Sequence, residues 1–323
     1  MKVKTSVIRI GIAGLSFTLI ALTLCSVRAD VLTAVDTVLL PITVQDSRGH
    51  LVEDLKKEEV KVLDGKNELS VVGFEKDEGS IKYVLAMDTS GSFRRILPDA
   101  VNAARFVVNQ NRPEDETGLI RFVTNEKIEK VQDFTSDKNK LIDSLGLLYV
   151  EGGPSGVTDA IYLAVQMAAT PSANQKRRAV VLITDGEDRH SFYKFEQLQE
   201  LLRQTRVEVF VIGMIEALDN VRNQNFAPTA REKAKKLLSN VATESFGRAF
   251  FPRDKEEIQQ AASEIAKSLH VQFYVAFRAI DRKPGTHKVD IKLTRPGEKL
   301  TLLTQTKYTF GLPLSTTPKD AKP

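Results

Sequence analysis

The chain has 323 residues and a formal net charge of +4, and the whole of that surplus lies in a leading stretch, residues 1–29, whose charged residues are Lys2, Lys4, Arg9 and Arg28. The remainder carries as many acidic as basic residues, which argues against nucleic acid as a partner. The single cysteine, Cys25, lies in the same stretch, so disulfides, zinc–thiolate sites and thiol catalysis are excluded for the rest of the chain.

Residues 1–29 predict a cleaved secretory signal peptide. A positively charged start precedes an apolar run over residues 10–24, and Val-Arg-Ala at 27–29 supplies small residues at a cleavage site. The run is too short and too interrupted for a comfortable membrane span, so no stable span is expected after cleavage. An uncleaved anchor is one alternative. Lipidation of Cys25 is another, although Leu24 stands where a small residue is expected. The mature protein is therefore expected in the periplasm or outside the cell.

Residues 30–79 predict a β segment. Three apolar, β-branched runs are separated by turn-forming residues, and Pro41 in the first run suggests an edge strand or a bulge. Asp-Gly-Lys-Asn at 64–67 marks a hairpin between the second and third runs. Three short strands cannot bury both of their faces, so this segment needs a partner sheet. The three runs span residues 38–44, 60–63 and 69–74.

From residue 80 to residue 270, predicted strands alternate with amphipathic helices. Unbroken apolar runs such as residues 179–183 suit parallel strands that are buried on both faces. Repeated strand–helix units predict an α/β fold with a doubly wound, mostly parallel sheet, and residues 117–123 and 127–134 predict a hairpin at its edge. The other predicted strands span residues 83–87, 178–184, 207–212 and 248–251. The predicted helices span residues 93–110, 136–147 with Ser136 as N-cap, 158–169, 195–204, 231–243 and 254–268.

After residue 270 the pattern returns to strands, over residues 272–280, 287–294 and 300–309. We expect residues 30–79 and 271–311 to form one β-sandwich with the α/β domain inserted between its two parts. The alternative is that the two segments are independent β additions. Residues 312–323 are rich in proline, threonine and lysine and predict a disordered tail.

Oxygen-bearing side chains gather in three predicted loops of the α/β region. Residues 88–92 read Asp-Thr-Ser-Gly-Ser, residues 152–155 read Gly-Gly-Pro-Ser, and residues 184–188 read Thr-Asp-Gly-Glu-Asp. Ligands of open α/β sheets bind at the carboxyl ends of the strands, and hard cations take oxygen ligands, so these loops predict a divalent-cation site. Gly91 and Gly186 are expected to let the backbone turn sharply. An alternative is that Asp88 and its neighbours only cap a helix.

At these loops the chain resembles the von Willebrand factor type A domain family. Residues 88–92 match its D-x-S-x-S motif, and residues 184–186 match the T-D-G that ends its fourth core strand. The resemblance covers about residues 80–270. Residues 40–49 and 273–277 are similar, more loosely, to β segments that flank the domain in a secreted bacterial subfamily. The resemblance implies a metal-ion-dependent adhesion site.

The family's metal ligands carry over to this chain residue by residue. The resemblance implies that Ser90 and Ser92 ligate the metal directly through their hydroxyls. Asp88 would act directly or through water, and Asp185 mostly through water.

One position departs from the family pattern. The remaining ligand is usually a threonine in a G-G-T loop, and counting back from Asp-Ala-Ile at 159–161 places Ser155 there. Serine keeps the hydroxyl but lacks the methyl group that restricts the threonine rotamer. Thr158 is the alternative ligand, although its spacing fits a helix N-cap better.

Two carboxylates and several hydroxyls leave such a metal under-neutralised, so a carboxylate from a partner's Asp or Glu can complete its shell. Oxygen-only ligands favour Mg²⁺, with Mn²⁺ or Ca²⁺ as alternatives. The expected function is a secreted, metal-dependent protein-binding or adhesion module and not an enzyme. A structural or assembly subunit with a vestigial metal site is the alternative. A hydrolase is disfavoured because Ser90 stands where strand-end aspartyl phosphatases need a second Asp.

The residues that follow Asp185 have simpler interpretations. Residues 187–190 are expected to be solvated loop residues. Phe192, Tyr193 and Phe195 are expected either to form an apolar rim for a partner or to pack against the sheet.

Overall fold

The computed structural model describes residues 37–171, 177–218, 227–279, 285–304 and 307–310. The predicted signal peptide and the predicted tail lie outside these residues and stay predictions. Within the described part of the chain, no helix combines the length and the apolar character that a membrane span requires.

The strands are β1 (Thr37–Gln45), β2 (Val60–Asp64), β3 (Asn67–Leu69), β4 (Val71–Lys76), β5 (Ile81–Asp88), β6 (Glu116–Phe122), β7 (Ile128–Thr135), β8 (Arg177–Thr184), β9 (Glu208–Gly213), β10 (Ala249–Phe250), β11 (Phe273–Arg278), β12 (Gly285–Lys288), β13 (Asp290–Leu293), β14 (Thr301–Thr304) and β15 (Lys307–Phe310). The helices are α1 (Leu97–Asn109), α2 (Lys138–Gly146), α3 (Val157–Ala168), α4 (Phe195–Thr205), α5 (Ala230–Glu244) and α6 (Lys255–His270).

The central sheet of the α/β domain has six strands in the order β10-β9-β8-β5-β6-β7. All pairs are parallel except β6 with β7, which form the predicted antiparallel hairpin at the edge. Strand β5 lies between β6 and β8, and every residue of β5 is buried. The doubly wound, mostly parallel sheet predicted from the apolar runs is therefore confirmed.

Helices cover both faces of this sheet. One hydrophobic core holds Tyr83 and Met87 of β5 together with residues of α1, α2 and α6. The other holds Val84 and Ala86 of the same strand together with residues of α3, α4 and α5. Because successive side chains of a strand point to opposite faces, an unbroken apolar run is what a sheet covered on both sides requires.

Besides a two-stranded sheet, β12-β15, the flanking β segments form two larger sheets that share one core. Their strand orders are β14-β1-β11-β4 and β13-β2-β3, so each sheet combines strands from before and after the α/β domain. Ile42, Val62 and Val275 from the two sheets belong to the same buried cluster. This is the predicted sandwich, and the alternative of two independent additions is wrong because the two segments pair with each other directly.

Several predicted strands are divided in the structure. The predicted run 69–74 is split at Ser70 into β3 and β4, which lie in different sheets. The run 287–294 is likewise shared between β12 and β13. At Ser70 the apolar pattern continues through the break because β3 and β4 lie in two sheets that face the same core, so alternation alone does not reveal a change of sheet.

β1 is an inner strand of its sheet, but Pro41 lies where β1 has a partner on one side only, so the predicted edge position holds locally. β1 pairs with β11 over Thr37–Ile42 and with β14 only over Ile42–Gln45. Pro41 is therefore just outside the β14 ladder, where a missing N–H breaks no bond to β14.

Two predicted helix starts also differ from the structure. Residues Gly91–Arg95 form a 3-10 turn and α1 begins only at Leu97. Asp137, not Ser136, caps α2, because its side chain accepts hydrogen bonds from the backbone N–H groups of Asn139 and Lys140.

Candidate metal centre

Three loops converge on Asp88, the last residue of β5. One oxygen of its carboxylate accepts a hydrogen bond from the backbone N–H of Ser90 at 2.9 Å. The other accepts from the Thr184 hydroxyl at 2.6 Å and from the Ser155 hydroxyl at 3.2 Å. Residues far apart in sequence meet here because β5 and β8 are adjacent parallel strands that end at the same edge.

The turn after β5 is held by its neighbours in the fold. The backbone N–H of Thr89 donates to the carbonyl of Phe122 at the end of β6, at 2.9 Å, and the Thr89 hydroxyl donates to the same oxygen at 3.1 Å. The side chain of Phe93 is fully buried in the core beneath α1. These anchors fix the two serines between them, Ser90 and Ser92.

Ser90 precedes the 3-10 turn but its side chain makes no capping hydrogen bond. Its hydroxyl instead lies 3.2 Å from the hydroxyl of Ser92. Helix capping therefore does not explain the serine pattern of this turn. Ser90 is buried and Ser92 is exposed, so the pair connects the buried carboxylate of Asp88 with solvent.

Asp185 contributes a second buried carboxylate to this edge of the sheet. One of its oxygens accepts from the backbone N–H of Glu187 at 3.0 Å. The other, Oδ2, is buried and has no hydrogen-bond partner among the described residues. A buried polar atom without a partner is rare and costly, and a cation would satisfy this one.

The pKa shifts of the two buried carboxyl groups also favour a bound cation at this site. Burial, followed by the nearby charge of Asp185, raises the pKa of the Asp88 carboxyl to about 6. Burial also raises the pKa of the Asp185 carboxyl. Two carboxylates forced together away from water repel each other, and a divalent cation relieves that repulsion.

The loop that carries Ser155 is fixed by backbone hydrogen bonds. The Ser155 carbonyl accepts from the N–H groups of Arg189 at 2.9 Å and His190 at 3.3 Å. The N–H of Glu151 donates to the carbonyl of Thr89 at 2.9 Å. The loop is thus tied both to the turn after β5 and to the turn after β8.

Thr158, the alternative to Ser155, faces another carboxylate. Its hydroxyl donates to Asp188 Oδ2 at 2.5 Å, and it is the second residue of α3 and not its N-cap. Of the two candidates, the structure brings Ser155 to Asp88.

Asp188 is an exposed loop residue, as expected, but its carboxylate also has several hydrogen-bond partners. Besides Thr158, its carboxylate accepts from the backbone N–H of Val157 at 3.1 Å and from the Ser191 hydroxyl at 2.6 Å. It therefore joins the first turn of α3 to the loop after β8. No sequence signal marked the link to α3, because Val157 and Thr158 lie 31 and 30 residues from Asp188.

Of the two glycines that were expected to let the backbone turn sharply, only one has the required conformation. Gly186 has a φ of +75° and confirms its prediction, whereas Gly91 has no positive φ and lies in the 3-10 turn.

Phe192 is 75% exposed beside the loop, as a rim residue would be. Tyr193 stacks on Tyr162 with ring centroids 3.8 Å apart, so it packs instead.

The arrangement differs from sites that are built from charged and imidazole ligands alone. Across the described ranges, no group of three or more His, Cys, Asp or Glu side chains could hold a metal ion. The candidate centre has two carboxylates, and its other oxygens are hydroxyls. Such a set matches hard cations like Mg²⁺, Mn²⁺ or Ca²⁺ and not zinc.

The pattern that defines the von Willebrand factor type A domain matches residues 84–269, more than half of the chain. No curated protein matches the chain.

Several solved structures are similar to it. A conserved hypothetical protein, BatB, from Bacteroides thetaiotaomicron has 21% identity and a TM-score of 0.46, with 58% of this chain and 98% of that chain covered. A von Willebrand factor type A protein from Catenulispora acidiphila has 12% identity and a TM-score of 0.46, covering 77% and 76%. Manganese-loaded TRAP protein from Plasmodium vivax has 15% identity and a TM-score of 0.43, covering 72% and 96%.

Proposed function

The chain belongs to the von Willebrand factor type A domain family, whose pattern it matches over residues 84–269, and from this premise we propose that it is a secreted protein-binding module. It holds its partner through a divalent cation at the carboxyl ends of β5 and β8. The partner presents an Asp or Glu carboxylate that completes the metal shell.

The unpartnered oxygen of Asp185 is the observation that carries this proposal. It is buried beside a second buried carboxylate, that of Asp88, and no described basic side chain or N–H satisfies it. A purely structural role would favour a neutral, hydrogen-bonded side chain at this position, since a buried charge without a partner destabilises the fold. A bound cation gives both carboxylates a partner.

The residues that hold the cation are three hydroxyls and two carboxylates: Ser90, Ser92, Ser155, Asp88 and Asp185. Mg²⁺ is the expected ion, and Mn²⁺ or Ca²⁺ can take its place. The neutral hydroxyls leave positive charge on the ion, which then acts as a Lewis acid towards an external carboxylate. The module binds and does not catalyse.

The cellular location is inferred from the predicted signal peptide at residues 1–29 and not from the fold. The predicted signal peptide supports a periplasmic or extracellular protein, and the absence of cysteine after Cys25 is compatible with that location.

Calorimetric titration of the purified protein with Mg²⁺ and Mn²⁺ tests the metal site directly. We expect one ion per chain for the wild type and none for Asp185→Ala. If the wild type binds neither ion at millimolar concentration, the proposal fails, and the sandwich becomes the better candidate for a structural role.

Immobilised protein then tests the partner, using envelope and culture-supernatant fractions of the source organism. We expect capture that needs Mg²⁺, is lost with EDTA and is lost with Asp185→Ala. Amidation of the carboxyl groups in the captured fraction should also abolish binding. Capture that survives amidation would contradict the carboxylate mode.

Ser155 and Thr158 can be separated by removing each hydroxyl. Ser155→Ala is expected to weaken Mn²⁺ binding about tenfold with little change in stability. Thr158→Val should leave the affinity for Mn²⁺ unchanged but cost about 1 kcal/mol of stability, because Asp188 loses a hydrogen bond. Calorimetry and urea unfolding measure the two effects, and the reverse pattern would make Thr158 the ligand.

A further inference from the structure

A second polar cavity lies at the opposite end of the central sheet from the candidate metal centre. Its volume is about 200 Å³, and it opens where the first residues of β8 and β9 meet the sandwich strands β1, β11 and β14. The cavity is lined by, among others, Arg177, Arg178, Arg206, Glu208, Phe246 and Gln272. Nothing in the proposed function uses this cavity.

Two lining residues have an unusual backbone conformation. Arg206 has a φ of +54° and Phe246 a φ of +61°, and they are the two non-glycine residues with positive φ among those the structure describes. Each ends a helix, Arg206 after α4 and Phe246 after α5. Glycine is the usual residue there, because any other side chain is sterically strained.

Both helix ends are fully formed in spite of that strain. The N–H of Arg206 donates to the carbonyl of Leu202 at 2.9 Å. After α5, the N–H of Phe246 donates to the carbonyl of Thr243 at 3.3 Å, and the next residue, Gly247, donates to Ala242 at 2.9 Å. Glycine would make the same hydrogen bonds without strain. The side chains of Arg206 and Phe246 are therefore what these two positions have in exchange for the strain. Strained residues of this kind cluster at functional sites.

Two of the three arginines that line the cavity have no carboxylate partner among the described residues. Arg178 donates to two main-chain carbonyls, of Ala169 at 3.2 Å and Thr205 at 3.3 Å. Within the described part of the chain, neither Arg178 nor Arg206 has an ion pair. Glu208 does not compensate for them, because it is ion-paired with Arg177 and accepts from Gln272.

We propose that this cavity binds a small molecule through an oxyanion, either a carboxylate or a phosphate group, held by Arg178 and Arg206. Planar guanidinium groups match both anions through paired N–H donors. Phe246 covers the less polar side of the bound molecule. The volume admits a few non-hydrogen atoms beyond the anion, so a small metabolite fits and a folded partner does not.

Calorimetry with inorganic phosphate and with succinate, in buffer free of both, tests the proposal and distinguishes the two anions. Arg206→Gly removes the guanidinium and the backbone strain together, so it should melt at or above the wild-type temperature and yet bind at least about tenfold more weakly. Phe246→Gly should also raise the melting temperature.

Arg203→Gln is the matched control. Arg203 lies on the same helix, one turn before Arg206, and pairs only with Glu200 on the surface. It should bind both anions like the wild type, and EDTA should have no effect. Failure of the wild type to bind either anion overturns the proposal. Equal weakening in the Arg203 and Arg206 variants also overturns it, because general charge would then explain the binding.

Discussion

Asp88→Asn is expected to abolish divalent-cation binding while leaving the metal-free protein as stable as the wild type or more stable. The substitution removes one of two buried carboxylates whose pKa values are raised by burial. The asparagine oxygen can still accept the hydrogen bond from Ser90 N–H, so the turn after β5 is preserved. The metal, in contrast, loses a charged ligand, and its affinity should fall by ~100-fold or more.

Two measurements on one preparation check this result. Calorimetry with Mn²⁺ gives the affinity, and thermal unfolding in EDTA gives the stability of the metal-free state. Asp133→Asn is the control, since Asp133 lies on the edge strand β7 with a side chain that is 72% exposed. A stability loss in Asp88→Asn with unchanged metal affinity would show that Asp88 serves the fold and not the ion.

If Asp88→Asn is more stable than the wild type, then the buried carboxylates are kept for a reason other than folding stability. A side chain that destabilises the empty fold persists only where something else depends on it. The hydroxyls of Thr184 and Ser155 limit the destabilisation by donating to Asp88, whereas one oxygen of Asp185 is buried without a hydrogen bond among the described residues. The two acids are thus unequal, and Asp185 should contribute more to the penalty of the metal-free state.

Local sequence pattern was enough to predict β5, β8 and the loops that follow them. Their apolar runs are unbroken because helices cover both faces, and parallel strands that are adjacent in the sheet must end at one edge. From those two facts, Asp88 and Asp185 were expected in one place, whereas Ser155 was added by the family resemblance. Their positions in the fold agree with that expectation, and their role towards a metal stays a proposal.

Other features depend on contacts that no local pattern reveals. Asp188 acquires its role from Val157 and Thr158, which reach it only when α3 packs beside β8. The division of residues 69–74 between two sheets depends on which neighbour each half meets. The strain at Arg206 is equally invisible, because an arginine at the end of a helix pattern is ordinary until its φ is known.

Asp115 gives the largest expected effect on stability, and sequence reasoning did not identify it. It is fully buried, and its carboxylate accepts from the backbone N–H groups of Ile81 at 2.9 Å and Arg112 at 2.6 Å. His270 Nε2 lies 2.7 Å from the same carboxylate. Ile81 begins β5 and His270 ends α6, so one carboxylate joins the two points where the chain passes between the sandwich and the α/β domain.

Asp115→Ala should therefore reduce the free energy of unfolding by about 3–5 kcal/mol, because it leaves buried N–H groups and a histidine without their acceptor. Urea unfolding at neutral pH measures the loss, with Asp133→Ala as the control that should lie within about 0.5 kcal/mol of the wild type. If Asp115→Ala lost no more free energy of unfolding than Asp133→Ala, water would be replacing the carboxylate. Packing alone would then hold the junction between the sandwich and the α/β domain.

The pH dependence of stability in a second variant, Asp115→Asn, gives an independent check. Burial alone would raise the pKa of Asp115, but the hydrogen bonds from His270, Ile81 and Arg112 outweigh it and hold the pKa below its ordinary value. A carboxyl whose pKa is lower in the folded state than in the unfolded state stabilises the fold above the unfolded value of about 4 and loses that effect as the pH falls further. The stability difference between wild type and Asp115→Asn should thus be full at neutral pH and shrink below about pH 4. A difference that stays constant into acid would assign the effect to side-chain shape and not to the charge of Asp115.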